Sequence, residues 1–338
     1  MSDFKTYLAK VAQGATLTQH ETTDAFDLMM SGKTSPAQIG GFLMALRVRG
    51  ETVDEITGAA QTMRNKATKV PAPENAIDTC GTGGDAKGTY NISTAAAFVV
   101  AGAGIPVAKH GNRSFTSKSG SADVLEALGV NLDVPPEKVS QCISEAGIGF
   151  MFAPSHHSAM RHVGPTRAEL GTRTLFNLLG PLSNPASTKY QVIGVFDKKW
   201  AEPLAHVLKN LGSKAVWVVH GADGMDELTT TDISHITALQ ENGNITSFDI
   251  TPEEVGLPRA QPEDLLGGDA KVNASAIQSL LEGTPGPLQD IVCLNAAATL
   301  CVVKNSKDLH NGIQIAQDSI KSGRALQCLR KLISLTTA

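Results

Sequence analysis

The apolar positions of the first 70 residues recur at helical spacing. Thr18 with Glu21 makes a capping box, followed by Ala25, Leu28 and Met29 on one face and a stop at Gly32. Ser35-Pro36 opens a second helix with Ile39, Phe42, Leu43 and Leu46 on one face, ending at Gly50. Thr52 with Glu55 starts a third that runs to about Lys66. The connections are short, which predicts helical hairpins. Val70-Pro71-Ala72-Pro73 reads as a linker. Beyond it the pattern becomes short apolar runs alternating with helical ones. Strands are predicted at 76–79, 106–109, 149–152, 191–196 and 215–219, and helices at 93–103, 121–129, 136–146 and 198–211. This rhythm predicts an α/β fold: a small helical domain plus a larger domain with a mainly parallel central sheet flanked by helices. The expected boundaries are 1–70 for the helical domain and 74–338 for the α/β domain. The helical stretch 156–188 interrupts the strand rhythm, and part of it is expected to join the helical domain. The C-terminal stretch returns to helix.

Composition narrows the class. Hydrophobic residues make up 41% of the chain, enough for a large core, and no apolar run is long enough for a membrane span. The start, MSDFKTYLAK, lacks the apolar segment of a secretory signal. The five cysteines are scattered, with no C-x-x-C pair, as expected for reduced thiols in the cytoplasm. Cys80 reads as a buried strand-end residue. A net charge of −4 and only 4% aromatic residues argue against a nucleic-acid partner.

One region departs from this balance. From Ala86 to Ala122 there is no Asp or Glu, while Lys87, Lys109, His110, Arg113 and Lys118 all fall there. It overlaps DTCGTGGDAKGTYNIST, residues 78–94, where Gly81, Gly83, Gly84 and Gly88 are crowded together just before an apolar run. Glycines let several N–H groups converge on one anion, and a helix starting near Ser93 adds its positive end. A phosphate or pyrophosphate is the natural guest. Gly81, Gly83 and Ala86 fit G-x-G-x-x-G/A, but the acidic ribose partner about 20 residues on is missing. The nucleoside triphosphate loop fails because Thr89 stands where lysine is required. A dedicated pyrophosphate cradle remains, beside the plain alternative of a glycine-rich packing turn.

Other motifs converge on the same chemistry. KHGNRSFTSKSGSADVLEALG, residues 109–129, is a second donor-rich loop leading into a helix that Ser121 is placed to cap. Asp226-Glu227 follows a predicted strand, and adjacent carboxylates suit a divalent cation as well as they suit a solvated acidic turn. Arg167 and Arg173 suit a carboxylate or phosphate, or an ion pair with Glu169. His156-His157 has no third metal ligand nearby and reads as a hydrogen-bonding or packing pair.

These two loops, SHHSAMRHVGPTRAELGTRTLFNLLGPLSNP and the DGMDE loop together resemble the anthranilate phosphoribosyltransferase family, over essentially the full chain. That family shares its fold group with the pyrimidine nucleoside phosphorylases. The resemblance implies transfer of phosphoribose from phosphoribosyl pyrophosphate (PRPP) to the amine of anthranilate in tryptophan biosynthesis. Gly81, Gly84, Asp85, Thr89, Asn91, Ile92, Ser93 and Thr94 would line the PRPP site. Lys109, His110, Gly111, Asn112, Arg113, Ser114, Phe115, Thr116, Ser117 and Ser121 would continue it. Ser93, Asp226 and Glu227 would hold two magnesium ions, and Gly81, Asn112 and Arg167 would face anthranilate. No residue is implied as an acid, base or nucleophile; Lys109 and magnesium would stabilise charge. The family also implies a cytoplasmic homodimer joined through the helical domain. Ala86, Tyr90, Phe115-Thr116 and Ser158 depart from its commonest pattern. Two alternatives stay open: a nucleoside phosphorylase, and a non-catalytic anion or nucleic-acid binding protein of the same fold.

Overall fold

The computed structural model describes residues 3–85, 87–114 and 118–338. The chain opens with α1 (Phe4–Ala12), α2 (Gln19–Met30), α3 (Pro36–Arg49) and α4 (Val53–Lys66). Three of these starts follow from capping. Thr18, Ser35 and Thr52 each accept the backbone N–H three residues on, and Glu21, Gln38 and Glu55 reach back to the cap N–H. Phe4, Phe26 and Phe42 pack with tilted and edge-on rings at the bundle centre, and Phe26 meets Phe176 at 5.5 Å between ring centroids. Glu55 is fully buried. It pairs with Arg49 and accepts the Leu17 N–H at 2.9 Å, tying the α1–α2 connection, α3 and α4 together.

The α/β part follows as β1 (Ile77–Gly81), α5 (Ile92–Gly102), β2 (Val107–Gly111), α6 (Ser121–Ala127), α7 (Pro136–Glu145) and β3 (Ile148–Phe152). The helical interruption is α8 (Ala153–His156), α9 (Gly164–Leu170) and α10 (Phe176–Leu182). Then come β4 (Tyr190–Gly194), α11 (Ala201–Asn210), β5 (Ala215–Gly221), β6 (Ser234–Leu239) and β7 (Ile245–Ile250). The chain closes with α12 (Ala270–Leu281), α13 (Pro287–Val302), α14 (Leu309–Lys321) and α15 (Arg324–Thr337). The strands lie in the order β3-β2-β1-β4-β5-β6-β7. The first five in that order run parallel, and β6 and β7 are antiparallel additions.

All five predicted strands form. The β6–β7 hairpin was not expected from the apolar pattern. Four of the six residues of β7 are exposed, so alternation is faint there. The turn carries the available signal, Asn242-Gly243, with Gly243 at φ 81°. The helix predicted over 198–211 opens with a 3-10 turn at Lys198–Trp200 before α11 begins.

Alternating strand residues feed two layers. Val192, Ala215 and Val219 pack with α5, α13, α14 and α15 on one face. Ile193, Val216 and Val218 pack on the other with α11, α10 and the N-terminal helices, in one continuous cluster. Val163, Leu175, Phe176 and Leu179 of the interrupting stretch belong to that second cluster. The parallel strands therefore deliver their carboxyl ends to one edge, where ligands bind in open α/β sheets.

Candidate active site

Chain order reverses across β1: β2 and β3 lie to one side, β4 and β5 to the other. At that switch point Gly81 of β1 pairs with Gly194 of β4. Both are glycine because the Asp226 loop lies directly on them. A Cβ at Gly194 would sit 1.4 Å from the Asp226 carbonyl oxygen, and one at Gly81 would sit 2.3 Å from Asp226 Oδ2. Asp226 reaches into the glycine loop, where its Oδ2 accepts the Gly83 N–H at 2.7 Å. Gly83 and Gly84 hold φ of 66° and 78°, conformations that L side chains rarely adopt. Glu227 accepts the Ser93 N–H at 2.9 Å in the first turn of α5. The Asn91 side chain does not cap that helix, so the Glu227 carboxyl supplies an acceptor at its N-terminus.

Burial first, and then the charge of Asp85, raises the Asp226 pKa to about 6. Burial and then the charge of Asp226 push Glu227 well above the usual carboxylate range. Asp85 is raised chiefly by burial as well. Crowded carboxylates that resist ionisation are what a hard divalent cation relieves, so Asp226, Glu227 and the nearby Ser93 hydroxyl fit magnesium. Among the described residues no three His, Cys, Asp or Glu side chains stand at metal-cage spacing. Magnesium is commonly held by one or two carboxylates, with substrate oxygens and water completing the set.

Lys109, on β2, is only 2% exposed. Its Nζ donates to the Thr79 carbonyl and lies 3.4 Å from Ser93 Oγ. Burial lowers its pKa, opposed by the charge of Asp78. His110, the next residue, points to the opposite face, as strand alternation requires. Its Nε2 meets His157 Nε2 at 3.2 Å, so one ring donates and the other accepts. Burial, then neighbouring histidine charge, lowers His110 to about 3 and His157 to about 4. His156 Nδ1 lies 3.1 Å from the Thr68 carbonyl. The pair is thus hydrogen-bonded, as its sequence predicted.

The remaining predicted residues divide. Ile92 is buried in the core, so only its backbone is available to a ligand. Thr94 is buried too, with a hydroxyl that has no protein partner among the described residues. Thr89 bridges Leu266, and the Gly267 N–H donates to the Gly88 carbonyl at 2.9 Å, which pins the far limb of the glycine loop. Asn91 donates to the Ser119 carbonyl at 3.1 Å and accepts from Asn273 at 2.9 Å, linking the two donor-rich loops.

In the second loop the Asn112 side chain is exposed, and its Oδ1 accepts the Arg113 N–H. Arg113 bonds Asp123 and Glu126 and lies over Phe152. Gly111 packs against Ser121 Oγ. The cap of α6 differs from expectation: Ser121 is its first residue, after Gly120, and its hydroxyl lies 3.3 Å from the Asn112 carbonyl. Asp123 closes the turn by accepting the N–H groups of Gly120 at 2.8 Å and Ser114 at 3.0 Å. Ser121 is already helical, so its hydroxyl turns back to the Asn112 carbonyl, and the cap position falls to Gly120. Phe115, Thr116 and Ser117 lie outside the described residues, as does Ala86.

Arg167, on α9, lies over the Phe176 ring at 4.9 Å. Among the described residues its guanidinium has no hydrogen bond or ion pair, and Glu169 does not pair with it. Burial alone lowers its pKa. A desolvated, unpaired guanidinium is primed for a carboxylate. Arg173 rather than Arg167 touches the glycine loop, donating to the Gly84 carbonyl and stacking over Phe196 at 4.1 Å. Asp78 and Asn184 were not picked out from the sequence, although both lie in quoted motifs. Both are fully buried polar residues that bond each other at 2.7 Å. Only the fold brings them together.

A glycine cradle, a helix N-terminus and paired carboxylates at the switch point define a site for a phosphorylated substrate. The chain matches the glycosyl transferase family models over residues 5–67 (helical bundle domain) and 73–326 (a/b domain). It is 61% identical, over the full length of both chains, to anthranilate phosphoribosyltransferase from Rhodopseudomonas palustris (strain TIE-1). The crystal structure of anthranilate phosphoribosyltransferase (TrpD) from Thermus thermophilus superimposes with TM-score 0.92 at 43% identity, covering 98% of this chain and 99% of that one. The Saccharomyces cerevisiae enzyme in complex with PRPP and Mg superimposes with TM-score 0.90 at 28% identity, covering 99% and 98%. Its complex with 4-fluoroanthranilate gives TM-score 0.89 at 27% identity, covering 99% and 97%. The chain belongs to the anthranilate phosphoribosyltransferase family of glycosyl transferases and is an enzyme.

Proposed function

We propose that this chain transfers the 5-phosphoribosyl group of PRPP to the amine of anthranilate, releasing pyrophosphate, as a step of tryptophan biosynthesis. One observation carries the reading: Asp226 and Glu227 interlock with the N–H groups of Gly83 and Ser93 at the switch point. Those hydrogen bonds tie the glycine loop and the start of α5 to the two carboxylates that are the proposed cation ligands. Ser93, Asp226 and Glu227 would hold two magnesium ions, which would supply charge neutralisation for the departing pyrophosphate. The relatives crystallised with PRPP and Mg and with 4-fluoroanthranilate support this pair of substrates.

The electrophile is the anomeric carbon, and pyrophosphate departs with growing negative charge. Magnesium on Asp226 and Glu227 would meet that charge, and Lys109 adds a buried cation beneath Ser93. An exposed helix end contributes only about 0.3–1 kcal/mol, so preorganisation in a water-poor site supplies most of the barrier reduction. Arg167 binds the anthranilate carboxylate, with Gly81 and Asn112 beside the ring. The aromatic amine is neutral at pH 7 and needs no strong base. The residues act by positioning and charge stabilisation, without a covalent intermediate. The PRPP site comprises the glycine loop with Asp85, Thr89 and Asn91–Thr94, and the second loop from Lys109 to Ser121. We place the domain boundary in Val70–Pro73 and assign part of the stretch 156–188 to the helical domain, through which two cytoplasmic chains pair. No helix among the described residues is long and apolar enough to cross a membrane.

Coupled detection of pyrophosphate tests the reaction. One pyrophosphate is expected per anthranilate consumed, and none without anthranilate. Cleavage of a nucleoside by inorganic phosphate, with no pyrophosphate formed from PRPP, would replace the reading with a phosphorylase.

A further inference from the structure

The seam between β1 and β2 is open where Lys109 lies. The two strands pair at a single rung, Ile77 with Val107. By contrast β1–β4 and β2–β3 each pair along five rungs, from Ile77↔Tyr190 to Gly81↔Gly194 and from Val107↔Ile148 to Gly111↔Phe152. A parallel ladder that stops after one rung leaves buried N–H and C=O groups needing partners. Side chains supply them. Asp78 Oδ1 accepts the His110 N–H at 3.2 Å. Asn184 Nδ2 donates to the Ala108 carbonyl at 2.9 Å and to Asp78 Oδ2 at 2.7 Å. Lys109 Nζ donates to the Thr79 carbonyl, and Thr79 Oγ1 donates to the Ser93 carbonyl at 3.1 Å.

The peptide groups on both sides of Lys109 are therefore gripped from outside the ladder. Asp78 holds the one after it, and Asn184 holds the one before it. Both side chains are fully buried. Burying a carboxylate is costly, and a closed backbone ladder would satisfy the same peptide groups without one. A closed ladder would also engage the Thr79 carbonyl and leave the ammonium of Lys109 without its place between β1 and α5. Stability alone does not account for the arrangement; keeping the seam open does.

We infer that Asp78 and Asn184 are positioning residues that hold the β1–β2 seam open and aim Lys109 at the N-terminus of α5, and so at the leaving pyrophosphate. The inference rests on the proposed assignment of Lys109 to that site. Neither residue touches substrate; both act through the lysine.

The test is calorimetric binding of magnesium–PRPP to folded Asn184→Ala, Asp78→Asn, Lys109→Met and the Lys109→Met/Asn184→Ala double variant, with the KM for anthranilate measured alongside. Asn184→Ala and Asp78→Asn are expected to weaken PRPP binding at least tenfold while the anthranilate KM stays within twofold. The double variant is expected to bind no more weakly than Lys109→Met alone, because the lysine through which Asn184 acts is already gone. A merely structural role would lower the melting temperature and the active fraction but leave PRPP affinity per folded molecule unchanged. PRPP affinity within twofold of the parent in Asn184→Ala overturns the inference, as does a full additive loss in the double variant. If Lys109→Met itself binds PRPP like the parent, the assignment of Lys109 fails, and the inference with it. Should Asn184→Ala not fold, the near-isosteric Asp78→Asn and its double variant with Lys109→Met carry the same test.

Discussion

At the residue scale the proposed function turns on charges held out of water. Arg167 is the clearest, half-buried over Phe176 and without an anion among the described residues. A charge-assisted hydrogen bond contributes about 1.5–3 kcal/mol. Arg167→Met should therefore raise the anthranilate KM roughly tenfold to a hundredfold and leave the PRPP KM near its parent value. Equal rises in both constants would remove Arg167 from the anthranilate site. The His110–His157 pair makes a second residue-scale prediction. Unfolded histidines take up a proton near pH 6.5, while the folded pair resists until about 4 and 3. Their contribution to stability is thus present above pH 6.5 and is lost as pH falls through the window from 6.5 towards 3. His157→Asn should flatten the fall of unfolding free energy between pH 6.5 and 4, and an unchanged slope would contradict the neutral pair. Asp226-Glu227 was legible in the sequence because two acids stand together after a strand. Asp78 and Asn184 were not, because each reads as an ordinary strand or loop residue until the fold joins them.

At the scale of elements, local signals were read well and long-range ones poorly. The capping boxes at Thr18 and Thr52 and the Ser35-Pro36 start lie within four residues of sequence, and each opens the helix it predicts. The five parallel strands were legible as short apolar runs because both of their faces are covered. The β6–β7 hairpin escaped because β7 is an exposed edge strand whose composition says little about burial. Ser121 is not the cap because the helix begins one residue earlier than its spacing suggests, with Gly120 in the cap position. Glu55 shows one residue serving two scales: it completes the α4 capping box and is the buried partner of Arg49 and Leu17. Breaking a buried ion pair costs about 3–5 kcal/mol. Glu55→Ala should lower the free energy of urea unfolding by about 3 kcal/mol or more, whereas a loss under about 1 kcal/mol would mean that the pair is not a structural tie.

For the whole molecule, the decisive feature is that parallel strands deliver their functional groups to one edge. β1 brings the glycine loop, β2 brings Lys109, and the loop after β5 lays Asp226 across Gly81 and Gly194. This depends on contacts between residues far apart in the chain, such as Gly83 with Asp226. Such contacts explain why the sequence pointed to residues of the candidate site but not to their arrangement. The proposed pairing of two chains predicts a mass in solution of twice the 35.4 kDa chain, measurable by light scattering. A stable monomer that remains active would contradict it. The most direct test of the central claim is the loss of anthranilate fluorescence with PRPP during a magnesium titration, repeated for Asp226→Asn and Glu227→Gln. The account predicts a magnesium-dependent rate in the parent, abolished by EDTA, and a shift to higher magnesium in both variants. A rate indifferent to magnesium, or variants that titrate like the parent, would contradict it.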